Sequence, residues 1–216
     1  MIKGVIFDLD GVLVSTDEMH FEAWKMLAEE LGIDKFTKED NKRQKGVSRM
    51  ESLEVVLSKG GRIYTATEKE EMAERKNNFY KELLAGLDEN AILPGAVDCL
   101  KMLRSRGILI GIGSVSKNAP LILARTGLME YVDKVSCGLD ITRSKPDPEV
   151  FEVAANKLEL KYEECLVVED SLAGIVAGRA AHMKTLGVGT EYVQLRADYE
   201  APGLNAHIDW ETILEV

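Results

Sequence analysis

The sequence predicts an α/β fold: a Rossmann-like parallel sheet core carrying an inserted all-helical cap domain. Three observations predict it. Short apolar stretches alternate with amphipathic stretches of helical length, the pattern of βαβ units. The segment 16–88 breaks that alternation and holds no convincing strand. The polar residues suited to chemistry follow the apolar stretches, where the carboxyl ends of parallel strands would gather them on one edge.

The elements follow in chain order. Residues 2–7 are apolar, contain Val, Ile and Phe, and end at Asp8, which reads as a strand buried on both faces. The next block holds three amphipathic helices, at 17–31, 49–57 and 67–87. Thr16 or Asp17 can cap the first, and Thr67 with Glu70 resembles a capping box for the third. Hinges are expected near 14–16 and 88–93. The division is therefore a core of 1–15 and 89–216, which carries the strand-end chemistry, and a cap of 16–88. Helices at 95–106, 118–126, 148–158 and 172–181 then alternate with strands at 108–112, 134–137, 165–168 and 184–188. Gly107 and Gly127 stand where helix C-caps belong. Beyond Gly189 the pattern weakens to a short strand at 206–208 and a final helical turn.

Composition narrows the function classes. The chain has 216 residues, enough for one core and a smaller inserted domain. Apolar residues make up 45% and charged ones 30%, no apolar run approaches the roughly 18 residues of a spanning helix, and no signal-peptide pattern precedes Asp8. A cytoplasmic protein with no membrane partner is expected, and a monomer. The net charge of −10 argues against nucleic acid. A small anion would need a local positive site inside that negative shell. Cys99, Cys137 and Cys165 are odd in number, widely spaced and set among apolar neighbours, so buried free thiols are expected.

Four elements carry candidate chemistry. In Asp8-Leu9-Asp10-Gly11 the two carboxylates, two residues apart on extended backbone, face the same side. Acids this close resist joint ionisation unless a cation is near or one is protonated. Read alone, the pair is also compatible with an acidic turn capped by Gly11. Ser114 follows the second strand, where it serves equally as a phosphate ligand or a helix N-cap. The Val115 and Ser116 amides, at a helix start, would add anion donors. Lys145, in Ser144-Lys145-Pro146-Asp147-Pro148, offers a point cation or is a loop lysine. Glu169-Asp170-Ser171 follows the fourth strand and offers metal ligands or a helix cap.

The Asp-x-Asp-Gly start, followed in order by Ser114, Lys145 and Glu169-Asp170, resembles the haloacid dehalogenase superfamily. The resemblance implies that Asp8 is the nucleophile that takes a phosphoryl group and that Asp10 is the general acid and base. It implies Mg²⁺ held by Asp8, the Asp10 backbone carbonyl, Glu169 and Asp170. Ser114 and Lys145 would hold the transferring phosphate.

A finer resemblance lies in the helical block. Thr16-Asp17-Glu18-Met19-His20-Phe21-Glu22-Ala23-Trp24-Lys25 looks like the start of the cap in the beta-phosphoglucomutase family. Lys45-Gly46-Val47-Ser48-Arg49, followed by Ser52, is similar to that family's substrate-specificity loop, and Arg75-Lys76-Asn77 resembles a further cap contact. Ser114-Val115-Ser116-Lys117-Asn118 is close to its Ser-Ala-Ser-Lys-Asn, with Val115 in place of Ala. The similarity runs to about Gly189, and the tail departs from it. It implies interconversion of beta-D-glucose 1-phosphate and glucose 6-phosphate through beta-glucose 1,6-bisphosphate and an aspartyl-phosphate enzyme. The substrate would be a small-molecule sugar phosphate. Arg49, with Ser116, Lys117 and Asn118, would hold the distal phosphate. Thr16, His20, Trp24, Lys45, Gly46, Val47, Ser48, Ser52, Lys76 and Val115 would line the sugar. His20 and Lys45 would tie cap closure to proton transfer. By spacing alone His20 also reads as a helix-face residue packing on Trp24, and Lys45 and Arg49 as solvated loop charges. Trp24, Phe79 and Tyr80 fit helix faces as packing. A sugar-phosphate phosphatase with the same two aspartates is the rival reading, and a non-catalytic phosphosugar-binding protein the third.

Overall fold

In the computed structural model, which describes residues 1–44 and 47–215, six parallel strands form one sheet in the order β3-β2-β1-β4-β5-β6. The strands are β1 (Gly4–Phe7), β2 (Leu109–Gly113), β3 (Lys134–Ser136), β4 (Cys165–Glu169), β5 (Lys184–Gly187) and β6 (Tyr199–Glu200). Successive strand side chains alternate between faces, and both faces here are covered. Val5, Phe7, Ile110, Ile112, Leu166 and Val168 join the cluster that packs on α5 (Ala96–Ser105) and α6 (Ala119–Thr126). Ile6 and Val167 point the other way, onto α7 (Glu149–Lys157) and α8 (Leu172–Ala180). That double burial is why β1 and β4 read as unbroken apolar runs.

Register decides what gathers at the carboxyl edge. Phe7 stands opposite Ile112 and Val168, so the residues just beyond β1, β2 and β4 emerge side by side. Strand order turns between β1 and β4, the position where parallel sheets bind ligands.

Between β1 and α5 the chain builds a helical block with its own apolar cluster, including Phe21, Trp24, Leu27, Leu53, Val56 and Ala73. Its helices are α1 (Asp17–Glu30), α2 (Lys38–Lys42), α3 (Arg49–Leu57) and α4 (Ala66–Leu84). The chain leaves and re-enters the core on adjacent segments. Val14 forms an antiparallel bridge with Ile92, the Ser15 amide donates to the Ala91 carbonyl at 2.9 Å, and the Leu93 amide donates to the Leu13 carbonyl at 2.9 Å.

Several local expectations shift. The capping box of α4 is Thr65 with Glu68, two residues earlier than Thr67 with Glu70; the Glu68 carboxylate accepts from the Thr65 amide at 2.8 Å. Thr16 sits at the N-cap of α1 but its hydroxyl makes no capping bond, because it is turned to Asp10. The unexpected α2 is a single turn stabilised by a capping box of Thr37 and Asp40. In the tail, α9 (Tyr192–Leu195) and α10 (Trp210–Glu215) flank β6. Residues 206–208 form no strand; the sixth strand lies earlier, where the Asp198 carboxylate accepts from the Thr185 amide at 2.9 Å and hydroxyl at 2.8 Å and fixes the chain beside β5. The three cysteines are buried and free. Among the described residues no helix is long and apolar enough to cross a membrane.

Candidate active site

Asp8 leaves β1 and is 8% exposed. Its Oδ1 accepts from Lys145 Nζ at 2.5 Å, and the same ammonium donates to Glu169 Oε1 at 2.6 Å. Lys145 is itself 1% exposed, with its ammonium 4.8 Å above the Phe151 ring. Burial pulls the Lys145 pKa down, but the Asp8 and Glu169 charges overcome it and hold the group protonated. Burial raises Asp8 above the usual carboxylate range, opposed by Lys145 and reinforced by Glu169 and Asp170.

Ligand oxygens of Asp8, Glu169 and Asp170 all lie within 4.8 Å of one another. Three carboxylates, two of them on one ammonium, leave an excess of negative charge, and every donor is oxygen. That set fits a hard divalent cation. The Ser171 amide and hydroxyl donate to Glu169 Oε2 at 2.7 and 2.9 Å, which aims its other oxygen at the cluster. Two glycines make room. Gly11 has φ +88°, a conformation that favours glycine, and a side chain there would overlap the Asp170 carboxylate. A side chain at Gly174, in the first turn of α8, would overlap Glu169.

Asp10 lies beside Asp8 but belongs to a different network. Its Oδ1 accepts from the Thr16 hydroxyl, which also bonds the Tyr80 hydroxyl at 2.9 Å. His20 Nε2 stands 3.9 Å from Asp10 Oδ2, and its ring stacks on Tyr80 at 4.0 Å between centroids. Lys76 Nζ lies 2.9 Å from His20 Nδ1. With Lys76 as donor, Nδ1 accepts and Nε2 carries the hydrogen toward Asp10. Burial pushes Asp10 up to about 7, with Asp8 and Asp17 adding and the Thr16 bond opposing. Burial, with the Lys76 and Arg49 charges, holds His20 well below its ordinary value. Near neutrality Asp10 is thus divided between its protonated and ionised forms, while His20 is held toward its neutral form.

A cavity of about 620 Å³ opens between the sheet edge and the helical block. Asp8, Asp10, Ser114 and Asp170 line its floor. The helical block supplies His20, Trp24, Val47, Ser48, Arg49, Ser52 and Lys76, and the loop after β2 supplies Val115, Ser116, Lys117 and Asn118. Thr16 and Lys145 are buried behind the cavity wall, at 1% exposure each, and reach it through Asp10 and Asp8. Glu169 is equally buried, under Lys145. Lys45 and Gly46 lie outside the described residues. The Ser116 amide is not directed at an anion: it donates to Ser114 Oγ at 3.2 Å, because α6 starts later, at Ala119. That bond leaves the Ser114 hydroxyl hydrogen to donate.

In the helical block, Arg49 begins α3. Its NH2 donates to Asn77 Oδ1 at 2.9 Å and its NH1 to Glu74 Oε2 at 3.2 Å. Asn118 Nδ2 donates to the same Asn77 oxygen at 2.9 Å, so one amide joins the helical block to the core. Ser144 donates to Glu51 Oε2 at 2.7 Å as a second cross-link. Glu74 and Glu51 escape sequence reasoning, which left Asn77 as a motif neighbour and Tyr80 as packing. The available signal was polar groups on the inner face of α4: Lys76, Asn77 and Tyr80 are all buried.

The model of the haloacid dehalogenase-like hydrolase family matches residues 2–182. The chain is 42% identical over 199 residues to beta-phosphoglucomutase of Bacillus subtilis (strain 168), covering 91% of this chain and 88% of the relative. It is 30% identical to a phosphorylated carbohydrates phosphatase of Thermotoga maritima, covering 86% and 84%. The crystal structure of beta-phosphoglucomutase from Clostridium difficile superposes with a TM-score of 0.92 at 38% identity, covering 100% of this chain and 96% of that one.

Proposed function

The chain belongs to the haloacid dehalogenase-like hydrolase family, and within it we propose that this enzyme is a phosphomutase that interconverts beta-glucose 1-phosphate and glucose 6-phosphate. One observation carries the reading. One cavity is lined both by Asp8, Ser114 and Asp170 of the strand edge, two of them members of an acidic cluster, and by Arg49, Lys117 and Asn118. A ligand with phosphates at both ends suits that layout, and beta-glucose 1,6-bisphosphate is such a ligand.

The residues divide the work. A carboxylate oxygen of Asp8 attacks phosphorus, and the bond from phosphorus to the sugar oxygen breaks. Asp10, whose raised pKa keeps a protonated fraction available near neutrality, gives its proton to that oxygen. Lys145 keeps Asp8 aligned and, with the Ser114 hydroxyl, offsets charge on the transferring group. Mg²⁺, held by Asp8, Glu169, Asp170 and the Asp10 carbonyl, would supply further neutralisation of phosphoryl charge. In the other half of the cycle the aspartyl phosphate gives its phosphoryl group to the 6-hydroxyl of beta-glucose 1-phosphate while Asp10 takes that hydroxyl's proton; the bisphosphate so formed turns round, and Asp8 takes the phosphoryl group from its 1-oxygen. The helical block acts as a cap: Asn77–Asn118 and Glu51–Ser144 hold it on the core and limit water at the aspartyl phosphate. Thr16, His20 and Lys76 place Asp10 in step with that closure. Trp24, Val47, Ser48, Ser52 and Val115 shape the sugar space.

The similarity to a phosphorylated carbohydrates phosphatase supports a second reading, in which water takes the phosphoryl group. Product analysis separates the two. Incubation with beta-glucose 1-phosphate, Mg²⁺ and a trace of bisphosphate should accumulate glucose 6-phosphate. Stoichiometric free phosphate instead would establish the phosphatase.

A further inference from the structure

Arg49 meets a carboxylate of its own chain before it meets any ligand. Glu74 and Asn77 stand one turn apart on α4, each holding a terminal nitrogen of the guanidinium, at 3.2 and 2.9 Å. The Asn77 amide nitrogen donates to the other Glu74 oxygen at 3.3 Å, so the two acceptors brace each other. Arg49 has 20% of its side chain exposed and Glu74 58%, and both line the cavity. Burial lowers the Arg49 pKa and Glu74 opposes that. A phosphate at this end would compete with Glu74 for the same donors and would meet its negative charge.

We propose that Glu74 is a specificity-determining counter-ion that weakens the distal grip on a sugar bisphosphate so that it can turn round. The inference rests on the phosphomutase reading. A bisphosphate intermediate must be released from one orientation and rebound in the other within each cycle. An anchor of full strength would stabilise the bound intermediate as much as the transition state and slow that exchange. A carboxylate already on the guanidinium lowers affinity in both orientations alike. Asn77, which is neutral, keeps the fork in place while phosphate and Glu74 exchange.

The sign of the effect makes this testable. If Glu74 competes, removing its charge tightens binding; if it only positions Arg49, removing it weakens binding. Beta-glucose 1,6-bisphosphate should be titrated calorimetrically, with Mg²⁺, into Asp8→Asn protein with and without Glu74→Gln. The expected result is a Kd lower by about two- to fivefold for Glu74→Gln, the range of partly exposed ion pairs, shrinking as salt is added. In the otherwise wild-type enzyme, Glu74→Gln should lower KM for beta-glucose 1-phosphate and lower kcat with it. Glu74→Ala should act in the same direction. Placed on Arg49→Ala, Glu74→Gln should change Kd by less than about 1.5-fold, since the competition needs the arginine. An unchanged or higher Kd in Glu74→Gln overturns the proposal, and so does an effect that persists without Arg49. A wild-type enzyme that makes no glucose 6-phosphate would sink the phosphomutase reading instead, while the Kd comparison still decides whether Glu74 opposes a bisphosphate.

Discussion

Asp8 and Arg49 line the same cavity, one from the sheet edge and one from the helical block, and single substitutions there test the proposed chemistry and the proposed anchoring separately. Asp8→Asn keeps the size of the side chain but cannot form an acyl phosphate. Turnover should fall below detection while thermal unfolding stays cooperative; residual activity near the wild-type level would reassign the nucleophile. Arg49→Ala should lower kcat/KM for sugar phosphates on the order of tenfold to a thousandfold, since a charged hydrogen bond contributes roughly 1.5–3 kcal/mol. Hydrolysis of acetyl phosphate, which fills only the Asp8 end, should fall much less. Arg49→Lys should restore part of the loss, because a point charge cannot reproduce the fork. Equal damage to both reactions would remove Arg49 from the distal site. Asp8, Ser114, Glu169 and Asp170 are legible in the sequence because each follows an apolar run by one or two positions, whereas Lys145 lies nine positions beyond β3 and is marked only by its motif. Glu74 and Glu51 are not, because their partners lie 25 and 93 residues away and nothing local marks the contact.

The helix that follows β4 makes room for the acidic cluster of Asp8, Glu169 and Asp170. Gly174 lies in its first turn against Glu169, and Ser171 caps it by accepting from the Gly174 amide at 3.1 Å. Gly174→Ala should displace the Glu169 carboxylate. The Mg²⁺ concentration for half-maximal activity should rise by roughly tenfold or more, as for other changes in the support of a metal ligand. A variant with unchanged Mg²⁺ dependence would show that Glu169 can move aside freely. The alternation of strands and helices is readable here because burial on both sheet faces leaves uninterrupted apolar runs. Helix starts are less readable. Thr65 and Thr67 both have an acid three residues on, and only the backbone chooses between them. The tail shows the same limit: β6 is two residues long and is placed by Asp198 on Thr185, a contact between side chain and backbone rather than a hydrophobic pattern.

Across the whole molecule, a chain with net charge −10 concentrates Arg49, Lys76 and Lys117 around one cavity. This arrangement has a measurable consequence for stability. Lys76 is 3% exposed, between the Trp24 and Tyr80 rings at 4.6 Å from each. Burial and the Arg49 charge lower its pKa to about 7, against the pull of Asp10. An unfolded lysine titrates near about 10.4. Between those values the unfolded chain binds more protons, so this group's destabilising effect is fully present below about pH 7 and fades as pH rises toward about 10. Lys76→Met should therefore gain most in Tm relative to wild type at pH 6 and least at pH 10. Thermal melts across that range test it, and a difference independent of pH would show that the lysine stays charged in its aromatic cage.

The paired segments at Val14 and Ile92 bear on how such a protein is assembled. The chain departs and returns at neighbouring points, so the helical block is a closed excursion from a path that is otherwise continuous. Among the described residues between those points, none forms a strand of the sheet, so no strand waits for the block to complete its register. The sheet can be built in its order whatever is hung at that point. Lengthening, replacing or reshaping the excursion would alter what the cavity accepts while leaving the aspartates at the strand end where they are. Under the proposed reading, the floor that carries the aspartates and the roof that would choose the substrate are thus separable units of change, joined by two short antiparallel segments.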